Sequence, residues 1–170
     1  MRTLLAASLA VVTALPQAAP FLPTPADVVD RMLELAVLAP SDVVYDLGCG
    51  DGRIVIAAAL RHGARGVGVD IDPQRIDEAR RNARAAGVEH LVTFRVEDAL
   101  QTDISEATVV TLYLVASLNA RLRPRLMSQL RTGARIVSHN FPIGDWEPDA
   151  VEIFTSADGQ SRTLFRWDIR

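Results

Sequence analysis

The order of hydrophobic and polar positions after residue 20 predicts alternating helices and strands joined by short links. Apolar residues recur at helical spacing after Thr24-Pro25, which predicts an amphipathic helix with Thr24 as its N-cap that ends before Pro40. The run Val43–Leu47 is continuously apolar apart from one acid and predicts a buried strand that leads into glycines. This alternation is typical of a mostly parallel α/β sheet.

The same pattern predicts the rest of the fold from residue 21 to residue 170. Further strands are predicted at Gly66–Ile71, Leu91–Val96, Thr108–Leu114 and Ala134–Ser138. Helices are predicted at Ile54–Leu60, from Asp72-Pro73 to Gly87, and at Ser117–Arg131 with a break at Pro124. The closing runs, Ala150–Thr155 and Arg162–Ile169, read as a hairpin turned at Asp158-Gly159. A parallel sheet that ends in a hairpin differs from a plain nucleotide-binding domain, which lacks the hairpin.

The first 20 residues form a segment of a different kind. Arg2 precedes an apolar run from Leu4 to Leu15, and small residues follow it. This order is typical of a secretory signal peptide, and the run is short for a bilayer span. Residues 1–20 are therefore set apart as a signal-like or anchor segment, the alternative being an extension of no structural importance. Membrane association or export through this segment and a cytoplasmic location both stay open.

Composition removes several classes of function. A formal net charge of −3 gives no general attraction to nucleic acid, so no nucleic-acid partner is expected. Cys49 is the only cysteine, which excludes an intrachain disulfide and a cysteine-based metal site. The chain contains no lysine, so a mechanism through a lysine Schiff base is excluded as well. No cluster of His, Asp and Glu has ligand spacing, and no metal is expected.

The segment Asp46–Gly52 between the first strand and the next helix carries the first candidate chemistry. Gly48, Gly50 and Gly52 allow a tight turn and a close approach of the backbone to a ligand. A dinucleotide-binding loop would place its third glycine at position 53, where this chain has an arginine. The carboxylates of Asp46 and Asp51 suit a ligand with ammonium and sulfonium charges better than a pyrophosphate.

Acidic residues also follow the next two strands. Asp70 ends the second strand, where a carboxylate can accept hydrogen bonds from both ribose hydroxyls, and Ile71 offers an apolar face for adenine. Asp98, with Ala99 beside it, follows the third strand and can accept from the adenine amino group. Because ligands of open α/β folds bind at the carboxyl ends of the strands, these residues are predicted to form one site.

Four short segments carry a resemblance to a known family, two to the family as a whole and two to one of its branches. Val44–Arg53 and Gly68–Pro73 resemble the class I S-adenosylmethionine-dependent methyltransferases. Phe21–Pro25 and Phe141–Pro148 resemble one branch, which contains small bacterial methyltransferases and the mitochondrial protein-lysine methyltransferases of the ATP synthase c subunit and adenine nucleotide translocase. The resemblance implies a Rossmann-like α/β fold with a seven-stranded, mostly parallel sheet, a C-terminal antiparallel hairpin and helices on both faces. It implies S-adenosylmethionine as cofactor and S-adenosylhomocysteine as product.

The acceptor side is less well defined. Tyr113, Asn119, His139 and Trp146 are the candidates for acceptor-side or catalytic roles, with Asn140 and Phe141 as further wall residues. His139 is a candidate base, and Tyr113 is favoured because the exit of the fourth strand adjoins the methyl group in this fold. The expected reaction is N-methylation of a protein lysine or another amine. Methylation of a small molecule and non-catalytic binding of S-adenosylmethionine stay as alternatives.

Overall fold

The computed structural model describes residues 22–170, and the predicted signal-like segment, residues 1–20, lies outside them. The helices are α1 (Ala26–Leu35), α2 (Arg53–His62), α3 (Pro73–Ala85) and α4 (Ala116–Gln129). The strands are β1 (Val43–Leu47), β2 (Arg65–Asp70), β3 (Val92–Val96), β4 (Val109–Leu112), β5 (Arg135–His139), β6 (Ala150–Thr155) and β7 (Ser161–Asp168). None of the helices within this range combines the length and apolarity that a bilayer crossing requires.

The strands form a seven-stranded sheet in the order β3-β2-β1-β4-β5-β7-β6. β1 to β5 are parallel, and β7 runs antiparallel to both β5 and β6. This arrangement confirms the predicted fold class. The chain leaves β1 into α2 on one face of the sheet and leaves β4 into α4 on the other, so the two connections separate at the carboxyl ends of these neighbouring strands. Open α/β sheets bind ligands at this switch point.

Helices cover both faces of the sheet. On one face, α1, α2 and α3 pack on alternate positions of the central strands, with Met32, Val55 and Ile76 among the fully buried side chains. On the other face, α4 packs through Leu122 and Leu126. β1 and β4 are buried at every position, as expected for central strands with both faces covered.

Two local predictions are wrong, and the hydrogen bonding of backbone carbonyls bears on both. Thr24 is not the N-cap of α1; Pro25 occupies that position, and the carbonyl of Thr24 accepts a hydrogen bond from Arg53. Pro124 does not break α4, which is continuous from Ala116 to Gln129. The carbonyl that loses its partner to Pro124 belongs to Ala120, an exposed residue, where water can satisfy it.

Candidate active site

A cavity lies at the carboxyl ends of β1 and β4. Its volume of about 530 Å³ is within the range of roughly 300–1,000 Å³ that small-molecule sites occupy. Most of the residues that the sequence suggested for a cofactor line it: Asp46, Gly48, Asp51, Asp70, Ile71, Asp98 and Ala99. Tyr113 lines it as well. Residues that follow β1, β2, β3 and β4 therefore meet around one space.

The three loop glycines have different structural roles. Gly48 lines the cavity with φ of +85°, and a Cβ there would lie 2.6 Å from Leu114 Cδ2. Gly50 does not line it; its amide donates to Asp70 Oδ2 at 3.0 Å and joins the loop to β2. Gly52 also lies behind the cavity wall, with φ of +80° and Phe94 Cε1 only 2.6 Å from an added Cβ. Gly48 is therefore the loop glycine placed to let the backbone approach a ligand, whereas the turn and its packing require Gly52.

Asp46 is the most deeply buried acid of the cavity wall, with 3% of its surface exposed. The hydroxyl of Thr111 donates to Asp46 Oδ1 at 2.8 Å. Burial raises the pKa of Asp46 to about 7, and the charges of Asp70 and Asp51 act in the same direction, while the Thr111 hydrogen bond opposes them. This carboxyl is consequently only partly ionised at neutral pH.

Asp51 already has a cationic partner. Arg53 Nε donates to Asp51 Oδ1 at 2.9 Å, and Arg53 Nη1 donates to the carbonyl of Thr24 at 2.8 Å. Arg53 stands where a dinucleotide-binding loop would have its third glycine, and the sequence suggested no further role for it. In the structure it neutralises part of the charge of the acidic loop and connects the loop to the segment before α1. Of the two carboxyl groups expected to suit a positively charged ligand, Asp51 is therefore already paired with a cation, and only Asp46 is not.

The ends of β2 and β3 present fixed acceptors beside an apolar surface. Asp70 accepts backbone hydrogen bonds from Gly50 and Asp72, both at 3.0 Å, which holds its carboxylate in place. Ile71 lines the cavity with 49% of its surface exposed, so an apolar side chain is available at this part of the wall. Asp98 is exposed and accepts from the Leu100 amide at 2.9 Å.

Of the acceptor-side candidates, only Tyr113 lines the cavity. Asn119 is completely buried, and its amide donates to Ser138 Oγ and to the carbonyl of Phe141. His139 is completely buried behind Tyr113, with ring centroids 4.0 Å apart. The expectation that these two side chains form an acceptor wall is corrected, because the end of β5 is covered.

The ionisation of His139 and the positions of Trp146 and Phe141 complete the description of the acceptor-side candidates. Burial lowers the pKa of His139 to about 4, with Arg162 adding to the effect, so the ring is neutral near pH 7. Trp146 packs on Trp167 with centroids 6.1 Å apart and does not line the cavity. Phe141, at 6.4 Å, continues the stack on Tyr113.

The wall also contains residues that the sequence did not suggest. They come from the segment before α1 and from the stretch after β4: Leu22, Pro23, Leu114, Leu118, Arg121 and Leu122. The spacing of Leu118 and Leu122 on α4 was a usable signal, since positions four apart share one helix face. Nothing local indicated that the chain before α1 would reach the cavity.

Several named methyltransferases are similar to this chain in sequence. A family model described as the ANTKMT methyltransferase domain matches residues 46–150. A protein-lysine N-methyltransferase of Saccharolobus islandicus (strain REY15A) is 47% identical over 133 residues, which cover 78% of this chain and 83% of that protein. The adenine nucleotide translocase lysine N-methyltransferase of Mus musculus is 33% identical over 132 residues, or 78% of this chain. The chain spans 57% of that longer protein.

A solved structure that contains S-adenosyl-L-homocysteine is similar to this chain in fold and in sequence. The crystal structure of an RNA methyltransferase from Salinibacter ruber in complex with S-adenosyl-L-homocysteine has a TM-score of 0.81 and 56% sequence identity. The match covers 87% of this chain and 94% of that one. The resemblance inferred from the glycine loop and from the acid at the end of β2 is confirmed.

Proposed function

The chain belongs to the ANTKMT methyltransferase family and is an S-adenosylmethionine-dependent methyltransferase, and from this premise we propose that its methyl acceptor is a lysine side chain of a protein. The observation that carries the proposal is the wall around Tyr113. This ring and the apolar side chains of Leu22, Pro23 and Leu114 border the same cavity as the carboxylates of the cofactor region. An aromatic ring beside aliphatic side chains suits the four-carbon stem of lysine. The relatives named as protein-lysine methyltransferases support the same acceptor.

The cavity residues fit S-adenosylmethionine in their chemistry. In our proposal Asp70 accepts from the ribose hydroxyls, and the exposed side chain of Ile71 packs on adenine. Asp98 and Ala99 border the adenine edge, while Gly48 and Asp46 border the methionine part. Asp70 suits its role because backbone amides already fix its carboxylate in one orientation.

The cofactor supplies a methyl group on a sulfonium, which needs only an aligned nucleophile. A lysine side chain has a pKa of about 10.4 in water and must lose its proton before it attacks. The apolar wall around Tyr113 lowers this pKa by desolvation, since burial disfavours the ammonium form. His139 lies behind that wall and does not line the cavity, so we assign it no proton transfer. Alignment and exclusion of water are then the main contributions of the protein.

RNA is the second candidate acceptor, because the Salinibacter ruber protein is described as an RNA methyltransferase. The charge of the cavity wall disfavours it. Six Asp and Glu residues line the cavity against three arginines, Arg53, Arg75 and Arg121, and the whole chain has a net charge of −3. Phosphates would meet like charge there, whereas a protonated lysine would be attracted before it enters.

The test uses methyl-labelled S-adenosylmethionine and a bacterial extract, either dialysed or undialysed, each split into portions treated with ribonuclease or with protease. We expect label that survives ribonuclease and that appears as methyl-lysine after acid hydrolysis of the protein fraction. Label that ribonuclease releases would support the RNA acceptor and overturn the proposal. Label that appears only when the small molecules are retained would point to a small-molecule acceptor and would also overturn it.

A pair of variants tests the role of the aromatic wall. Tyr113→Ala should lower the rate of methyl transfer by about tenfold or more, because alignment of the amine is lost, while the affinity for S-adenosylmethionine stays within about twofold. Tyr113→Phe keeps the ring and should retain most of the activity. Equal losses in both variants would show that the hydroxyl, rather than the ring, matters.

A further inference from the structure

Asp46 stands apart from the other acids of the cavity in its surroundings. It is almost fully buried, yet it lines the cavity. Among residues 22–170, the hydrogen bond that the structure gives this carboxyl comes from a neutral group, the hydroxyl of Thr111. A buried carboxyl that is held only by a hydroxyl has little to stabilise its charge.

The charged groups around Asp46 make its ionised form still less favourable. Asp70 at the end of β2 and Asp51 in the glycine loop both act on it as like charges. Arg53 at the start of α2 is bound to Asp51 and does not compensate Asp46. Cys49 contributes a buried thiol, whose pKa is raised by burial and by Asp46 itself, so it supplies no charge at neutral pH. The cavity therefore offers a place where one added positive charge interacts strongly with Asp46.

We propose that Asp46 is the residue by which this site distinguishes the sulfonium-bearing cofactor from its neutral thioether product. The two ligands share the adenosine, the amino group and the carboxylate, and they differ by one methyl group and one positive charge. Asp70 and Asp98 face parts that the ligands have in common, if they hold ribose and adenine. Asp46 lies beside the glycine loop on a central strand, is almost fully buried, and has no cationic partner among residues 22–170, so a positive charge added to the cavity interacts strongly with it. This inference rests on the choice of cofactor and is independent of the nature of the acceptor.

The distinction depends on movement of a proton between Asp46 and solvent. In the free protein the pKa of Asp46 is about 7, so the carboxyl is partly protonated near neutrality. A positive charge in the cavity lowers this pKa, and the proton leaves to solvent as the cofactor binds. During transfer the bond between the methyl carbon and sulfur breaks, the bond between that carbon and the acceptor atom forms, and the sulfur becomes a neutral thioether. Asp46 then takes up a proton from solvent again, and the product loses the attraction that held the cofactor.

Calorimetric titration of the wild-type protein tests this directly. S-Adenosylmethionine and S-adenosylhomocysteine are each titrated between about pH 6 and pH 8.5 in two buffers with different ionisation enthalpies. We expect the cofactor to release a larger fraction of a proton near pH 7 than the product does. The ratio of the product's Kd to the cofactor's Kd should rise by about tenfold over this range, as a carboxyl titrating near pH 7 requires. Equal proton release by both ligands would overturn the proposal.

Two variants separate Asp46 from the other acids. Asp46→Asn should abolish the difference in proton release and make the ratio of the two Kd values independent of pH. Asp98→Asn is the matched control, because it removes another cavity carboxylate; it should weaken both ligands alike and keep the pH dependence. A pH-dependent ratio that persists in Asp46→Asn would refute the assignment.

A third variant keeps the proposal testable if Asp46→Asn fails to bind either ligand. Thr111→Val removes the hydroxyl that favours the ionised carboxyl, so the midpoint of the pH-dependent ratio should move to higher pH. An unchanged midpoint would overturn the proposal. An analogue with an ammonium group in place of the sulfonium should release a proton as the cofactor does, and if it behaves like the product, the charge is not what Asp46 detects.

Discussion

Alanine at Gly52 should destabilise this protein through two separable effects. The backbone there has φ of +80°, a conformation that favours glycine, and a Cβ would lie 2.6 Å from Phe94 Cε1 and 2.9 Å from Ala79 Cβ. Two other glycines isolate each effect. Gly159 has the same φ of +80° with nothing within 4 Å of an added Cβ. Gly68, on β2, has no left-handed backbone, but its Cβ would lie 2.7 Å from the same Phe94 ring and 2.8 Å from Cys49 Sγ, so it reports crowding in the core without backbone strain.

The magnitudes follow from these contacts. A left-handed conformation costs a residue with a Cβ about 1–2 kcal/mol, so Gly159→Ala should lose about 1 kcal/mol of unfolding free energy. Forcing an extra carbon into a packed core costs about 1–3 kcal/mol, so Gly68→Ala should lose about 2 kcal/mol. Gly52→Ala combines both effects, and we expect a loss of about 3 kcal/mol, close to the sum of the other two.

Urea-induced unfolding measures all three variants against the wild type. The buried indole of Trp167 provides the fluorescence signal, and the midpoint multiplied by the m-value gives the free energy of unfolding. If Gly52→Ala loses no more than Gly159→Ala, the contact with Phe94 does not constrain the loop and the packing explanation of Gly52 is refuted. If Gly68→Ala is harmless, the Phe94 ring moves easily and the same explanation fails.

Three further predictions concern the acids and the histidine. Asp70→Ala should weaken S-adenosylmethionine binding by more than about tenfold in calorimetry, whereas Asp70→Asn, which keeps one acceptor oxygen, should lose less; equal affinity in Asp70→Ala and wild type would contradict its role. Between about pH 4 and pH 7 the folded protein holds a proton on Asp46 that the unfolded chain has released, so the contribution of Asp46 to stability falls by about 4 kcal/mol at most as pH rises through this window. His139, whose pKa is lower in the folded protein than in the unfolded chain, contributes in the opposite direction. Urea unfolding at about pH 4 and pH 8 should therefore show stability changing more favourably with rising pH in Asp46→Asn than in the wild type, and equal changes in the two proteins would contradict the role of Asp46. His139→Phe preserves the stack on Tyr113 and should keep kcat within about twofold from pH 7 to pH 9; a large loss of kcat alone would restore a base role.

The fold and the cofactor side were largely predictable, because their signals are local. Hydrophobic periodicity places each helix and strand, and the glycines after β1 mark a turn wherever they occur. Asp70 and Asp98 could be assigned to one edge because the carboxyl ends of parallel strands always lie together. The family resemblance rests on the same short segments, and the comparisons confirm it.

The acceptor side was poorly predictable, because exposure there depends on distant parts of the chain. Asn119 and His139 look available in the sequence, yet both are completely buried. His139 pairs in the sheet with Leu164 on β7, and no pattern near residue 139 indicates that this cover exists. The contribution of Leu22 and Pro23 to the cavity likewise depends on how the segment before α1 is held, through the bond from Arg53 to Thr24.

The sequence by itself determined the order of the elements and the set of acids at the carboxyl ends of the strands, and its resemblance to a known family implied a mostly parallel seven-stranded sheet with a terminal hairpin. The tertiary structure decided what each acid does. Asp51 is paired because Arg53 folds back on it, and Asp46 is held by Thr111, which lies 65 residues further along the chain. Periodicity and turn residues act over a few positions, whereas burial and charge depend on every neighbour in space. For that reason the cofactor could be inferred from residues alone, and the ionisation of Asp46 could not.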